Sequence, residues 1–187
     1  MDNDVPTYGR QLPPLTGELV RLRPMEAPDV ESLWRWNRDP EVVRWLNHEP
    51  PQSLASAERR FAERPRNSFE SSLLMIERRS DARLIGVTAL RDASPIDGRA
   101  ELDIYLGEKD CWGQGYGSDA VRALCRWGFD RLRLHSIALW VVVDNERAVH
   151  AYEKVGFQRD GRHRECFRGD GRWHDMYLMS VLEGELR

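Results

Sequence analysis

The sequence predicts a single α/β (α+β) domain with the element order β-α-α-β-β-β-α-β-α-β-β. Three observations carry that reading. The hydrophobic period changes along the chain, from helical spacing over residues 29–64 to two-residue alternation over 69–107, after which helix and strand alternate. The run "SIALWVVVD" (136–144) is almost continuously apolar, as expected of a strand buried on both faces. The length, 187 residues, suits one domain and is short for two. No internal repeat, low-complexity tract or linker is visible.

Residues 1–17 read as an N-terminal tail and 18–187 as the domain. "ELVRLRP" (18–24) alternates like a strand and stops at Pro24. Asp29 can cap a helix through "VESLWRWNR", with Val30, Leu33, Trp34 and Asn37 on one face. "LASAERRFAER" forms a second helix that stops before Pro65. "FESSLLMIER" (69–78), "RLIGVTALR" (83–91) and "RAELDIYLG" (99–107) are strands. A glycine-rich segment leads into a helix over 117–131. After the apolar strand, "ERAVHAYEKVG" is a helix with Asn145 as N-cap and Gly156 as the C-terminal glycine. "FQRDGRHRECF" and "RWHDMYLMSVL" close the chain as an antiparallel hairpin across "RGDG".

Composition narrows the function. The net charge of −3 supplies no strong field toward nucleic acid or an anionic membrane. Lysine occurs only at Lys109 and Lys154, which disfavours lysine chemistry. No apolar run approaches the roughly 20 residues of a membrane span, and the polar N-terminus does not read as a signal peptide. Cys111, Cys125 and Cys166 are odd in number and widely spaced, as in a reduced, cytoplasmic protein. No CxxC or HxxxH spacing suggests a metal site.

"CWGQGYGSDA" (111–120) places Gly113, Gly115 and Gly117 between a strand and a helix. That order builds an anion site, because the first-turn N–H groups are unpaired and glycine lets phosphate oxygens approach the backbone. The segment lacks the P-loop pattern, and Ser118 stands where a dinucleotide fingerprint counted from Gly113 needs glycine. "AELDIYLGEKDCWGQGYGSDAV" resembles the acetyl-CoA-binding motif of the GCN5-related N-acetyltransferase (GNAT) superfamily, with Gly115 and Gly117 on its glycines. Trp112 stands where that motif usually has Gln or Arg, a departure common in the branch typified by the ribosomal-protein N-alpha-acetyltransferases. "NERAVHAYEKVGFQRDG" resembles the family's second motif, and "GDGRWHDMYLM" also resembles that branch. The similarity spans roughly residues 18–183.

The resemblance implies the GNAT fold, a single mixed central sheet of six to seven strands flanked by about four helices and splayed between the fourth and fifth strands. Acetyl-CoA would lie in the splay, its pyrophosphate on the amides of Gln114, Gly115, Tyr116, Gly117 and Ser118. Its pantetheine would pair with the strand before the glycines and meet Asn145. Tyr152 would stand beside the sulfur as acid or hydrogen-bond donor, and the amide of Leu106 or a neighbour would polarise the thioester. Glu101 is the candidate base, acting through water. Asp103, two residues on, shares its face unless a bulge intervenes, and relatives often carry a small residue there.

The acceptor side is expected within "NRDPEVVRWLNHEPPQS" (37–53), where Trp45, Asn47, His48 and Glu49 are candidate lining. The expected reaction is direct attack on acetyl-CoA by a primary amine, in a ternary complex. That amine is a protein N-terminus or a small amine such as a polyamine, amino sugar or aminoglycoside. The alternatives are a non-catalytic acyl-CoA sensor and, less favoured, a nucleic-acid binder using the arginines of 159–172. No metal is expected. A homodimer is left open, since similar proteins are frequently dimeric.

Overall fold

The computed structural model describes residues 15–47 and 50–187. Within these residues seven strands form one sheet: β1 (Val20–Pro24), β2 (Ser72–Arg78), β3 (Leu84–Ser94), β4 (Arg99–Leu106), β5 (Ser136–Val142), β6 (Gln158–Gly169) and β7 (Arg172–Leu182). Four α-helices accompany them among the described residues: α1 (Asp29–Trp36), α2 (Leu54–Ala62), α3 (Tyr116–Leu132) and α4 (Glu146–Val155). The strand order is β1-β2-β3-β4-β5-β7-β6. Only β4 and β5 run parallel; every other neighbouring pair is antiparallel.

The β4–β5 junction positions everything that follows. The two strands pair at only three positions, Arg99 with Ser136, Ala100 with Ile137 and Glu101 with Ala138. Beyond them β4 stays paired with β3 as far as Leu106, while β5 stays paired with β7 as far as Val142. The sheet therefore forks, as the resemblance implies.

Alternation sorts the side chains. On one face Leu90, Ala100, Leu102, Ile137, Leu139, Met179 and Val181 pack against α3, which buries Ala120, Val121, Leu124, Cys125 and Phe129, and α3 touches α4. On the other face Met75 and Val87 pack on Trp36 and Val42. Large apolar side chains are removed from water on both faces, at roughly 1.5–3 kcal/mol each.

Two local expectations change. Asp29 is not the cap of α1. Pro28 holds that position, and the Asp29 carboxylate turns back to Arg23 (2.7 and 2.9 Å) and to the Glu26 N–H (2.8 Å). Trp36, not Trp34, is the buried tryptophan of α1, at 1% exposure, while the Trp34 Nε1 donates to the Gln52 carbonyl. Asn145 does cap α4, accepting from the Ala148 N–H, and Gly156 ends it at φ 119°.

Candidate active site

The glycine segment makes an open cradle at the N-terminus of α3. Gly113 (φ 74°) and Gly115 (φ 88°) adopt the left-handed backbone that suits glycine. Nothing lies within 4 Å of where a Gly113 Cβ would stand, and at Gly115 the nearest atom is Leu19 Cδ1 at 3.6 Å. The helical ladder starts with Asp119 N–H bonded to Gly115 C=O, so the N–H groups of Tyr116, Gly117 and Ser118 have no intrahelical acceptor. Gly115 supplies no side-chain cap. The Asp119 carboxylate, in the first turn, instead accepts the backbone N–H groups of Glu18, Leu19 and Val20 (3.1, 2.8 and 3.0 Å). This ties α3 to β1 and leaves the helix end open to an anion. The Gln114 side chain folds back onto the Asp110 carbonyl.

The fork lies beside this cradle. Gly107 N–H donates to Ile85 C=O at 2.9 Å. By antiparallel alternation the N–H and C=O of Leu106 therefore point away from β3, into the opening. The Leu106 carbonyl accepts Trp112 Nε1 at 2.9 Å, so its N–H is the group left for a ligand. From α4 the Arg147 guanidinium reaches over the Trp112 ring, 4.4 Å from its centroid. Arg147 thus brings a cation to the place where Trp112 replaces the usual Gln or Arg. The loop is held by the buried carboxylate of Glu108, which accepts from Arg35, Arg83 and Trp36 Nε1 (2.8 Å for the last).

Tyr152 stands on α4, half-buried, with its ring 5.8 Å from that of Phe157. Its hydroxyl has no hydrogen-bond partner among the described residues. Burial, and then the charge of Asp103 on the opposite strand, hold its pKa well above that of an ordinary phenol, so it keeps its proton. Asn145 uses its Oδ1 as the cap and leaves its NH₂ uncommitted among the described residues.

Glu101 and Asp103 do share a face of β4; no bulge separates them. One arginine joins them, a feature not foreseen from sequence. Arg91, the β3 register partner of Glu101, pairs with Glu101, with Asp103 through Nε (2.6 Å) and with Asp92 (3.0 Å). Desolvation raises the pKa of Glu101, opposed by Arg91 and reinforced by Asp103 and Asp92. The Glu101 side chain is 24% exposed and that of Asp103 56%. Three carboxylates around one guanidinium leave the fork mouth acidic.

The expected acceptor segment divides. Residues 37–47 run from the end of β4 to the β6–β7 hairpin. At the β4 end Asn37 accepts the Tyr105 hydroxyl, and Asp39 and Glu41 hold Lys109. At the hairpin end Arg44 pairs with Asp170, and Trp45 packs edge-on to His174 (5.4 Å) and against Phe167 (6.5 Å). Trp45 thus anchors this span on the hairpin while staying partly exposed. Asn47 is exposed; His48 and Glu49 lie outside the described residues.

Other chemistry finds less support. Cys111 is buried, and desolvation raises its thiol pKa, which disfavours a thiolate nucleophile. Three of the five hairpin arginines are paired with carboxylates: Arg159 with Glu153, Arg162 with Asp175 and Arg172 with Asp144. Among the described residues no group of three or more His, Cys, Asp or Glu side chains is placed to hold a metal, and no helix is long and apolar enough to cross a membrane.

Comparison with known proteins is consistent with this geometry. A family model described as "Acetyltransferase (GNAT) domain" matches residues 20–158. An uncharacterized N-acetyltransferase, p20, of Bacillus licheniformis is 30% identical over 90% of this chain and 95% of its own. The spermidine N(1)-acetyltransferase of Vibrio cholerae is 27% identical over 89% and 94%. The putative ribosomal N-acetyltransferase YdaF of Bacillus subtilis is 29% identical over 90% and 93%. Among solved structures, the V. cholerae spermidine N-acetyltransferase in complex with CoA and spermine superposes with a TM-score of 0.77, at 26% identity, over 89% of this chain and 97% of that one.

Proposed function

Because the chain belongs to the GNAT acetyltransferase family, and so transfers an acetyl group from acetyl-CoA to an amine, we propose that its acceptor is a small aliphatic polycation of the polyamine class. The observation that carries this is the acidic fork mouth, where Glu101, Asp103 and Asp92 outnumber Arg91. The likeness to spermidine N-acetyltransferases supports the same reading. A protein N-terminus is the second reading, favoured by the likeness to a putative ribosomal N-acetyltransferase. A thiol-release assay with polyamines, simple alkylamines and N-terminal peptides side by side separates them. Polyamines should give the highest kcat/KM; peptides outrunning them would overturn the assignment.

The residues divide the work. The amides of Gln114, Gly115, Tyr116, Gly117 and Ser118 would hold the pyrophosphate, with Arg147 adding positive charge. The Leu106 N–H would polarise the thioester carbonyl, and Asn145 would hold the pantetheine arm. Glu101, through water, would take the proton of the attacking nitrogen. Tyr152 would donate a hydrogen bond to the departing thiolate. Asp103 would hold the ammonium of the acceptor, and Asn47 and Glu49 are kept as acceptor-side candidates.

A base matters for this substrate class. Removing a proton from an alkylammonium of pKa about 10.4 at pH 7 costs roughly 4.6 kcal/mol, against roughly 1–1.4 for an α-amine. Glu101→Gln should therefore lower kcat/KM most near neutral pH and progressively less toward pH ~10, where free amine is plentiful. Since desolvation raises the Glu101 pKa, the wild-type acid limb should fall above the ordinary carboxylate range, and the Gln variant should lack it. If the two pH–rate profiles superpose after scaling, Glu101 is not the base.

A further inference from the structure

On the face that carries Glu101 and Asp103, Trp45 covers the hairpin end of the β5–β7–β6 half at His174 and Phe167, whereas the described residues leave the middle of β5 open at Trp140. The parallel register pairs Glu101 with Ala138, so Trp140, two residues on, shares that face across the fork from Asp103. Trp140 is 41% exposed, beside its β7 register partner Leu178, whereas α1 packs over the other half of the sheet through Trp36. Five of the seven tryptophans carry an arginine over the ring: Trp34, Trp36, Trp45, Trp112 and Trp173. Trp140 carries none among the described residues. The β6 arginines nearest in register lie on the opposite face, Arg159 over Tyr177 and Arg162 on Asp175, leaving His163, 6.0 Å away, as the neighbour from β6.

We infer that Trp140 binds the acceptor, forming the far wall of a groove whose near wall is Glu101 and Asp103. The ligand it fits is a linear aliphatic amine with a second cationic group. The reacting nitrogen lies at the carboxylates, the methylenes cross the fork, and the distal ammonium rests on the open indole face. This rests on the polyamine reading above and extends it, since Trp140 selects for the second charge rather than for the amine that reacts. An indole is the best aromatic partner for an ammonium, and one without an arginine over it on the face of an acidic wall matches a second positive charge.

The test compares Trp140→Phe, which keeps an aromatic face, with Trp140→Leu, which keeps apolar bulk without one. kcat and KM are measured at pH 8 with 1,4-diaminobutane, spermidine and n-butylamine, and acetyl-CoA affinity is measured alongside. In the Leu variant KM for the two polycations should rise about tenfold, with kcat, n-butylamine turnover and acetyl-CoA affinity within threefold of wild type. The Phe variant should stay close to wild type. Equal losses on all three amines, or no loss on any, would overturn the inference while leaving the acceptor class intact. A wild-type enzyme that ignores both polycations would overturn the acceptor class and this inference together.

Discussion

Gly117→Glu is expected to abolish acetyl-CoA binding while leaving the fold at least as stable. Gly117 is the second residue of α3 and has ordinary helical backbone. A Cβ there would meet only Leu106 Cδ1, at 3.9 Å, an ordinary contact. Replacing glycine within a helix gains up to about 1 kcal/mol, and an acidic side chain in the first turn adds about 0.3–1 kcal/mol through the helix dipole. Among the described residues no close contact opposes the change. The same carboxylate would stand where the pyrophosphate is proposed to lie, and two like charges about 4 Å apart at an effective dielectric near 20 repel by roughly 4 kcal/mol, close to a thousandfold in affinity. Gly115→Glu is a less clean probe, because φ 88° already costs a non-glycine residue about 1–2 kcal/mol. Calorimetric titration with acetyl-CoA, paired with a thermal melt, reads both halves. A variant with a higher melting temperature and unchanged affinity would move the cofactor away from α3.

The elements that were legible are those whose pattern is local. The strand–glycine–helix order at 106–118, the Asn145 cap and the Gly156 stop each depend on a few adjacent residues, and the structure has all three. Glu101 and Asp103 could be placed on one face because a strand alternates strictly. What escaped the sequence was set by pairing between distant segments. Arg91 becomes the partner of both carboxylates only through the β3–β4 register, and Trp140 faces them only through the short parallel register with β5. Trp36 and Trp34 differ by two positions on α1, and only the packing of Met75 and Val87 decides which is buried. The contacts of Trp45 with Phe167 and His174 depend on where a hairpin more than 120 residues later folds back.

Tyr152→Phe should lower kcat by about 10²–10⁴-fold, with acetyl-CoA affinity and melting temperature little changed. The change removes one hydroxyl and no ring packing. That hydroxyl bonds to no described residue, so nothing in the resting protein is lost with it, and the ring keeps its contact with Phe157. Because burial and Asp103 hold the phenol pKa above its ordinary value, the proton is in place at every pH of interest and kcat should show no basic limb from its loss. Handing the proton over fully to a thiolate is uphill: even unperturbed, a phenol near 10 and a thiol near 8.5 differ by about 1.5 units, roughly 2 kcal/mol. On the proposed role, the larger contribution would be a hydrogen bond to charge that develops on sulfur, strengthened by partial dehydration of the fork. The effect belongs to the transition state, so kcat and kcat/KM should fall together. A tyrosine that served only to pack α4 would give the opposite pattern, near-normal kcat with a lower melting temperature. Single-turnover measurement of the acetyl-transfer step decides between them. A rate within threefold of wild type, with chemistry shown to be limiting, would remove Tyr152 from the reaction and leave water as the proton donor.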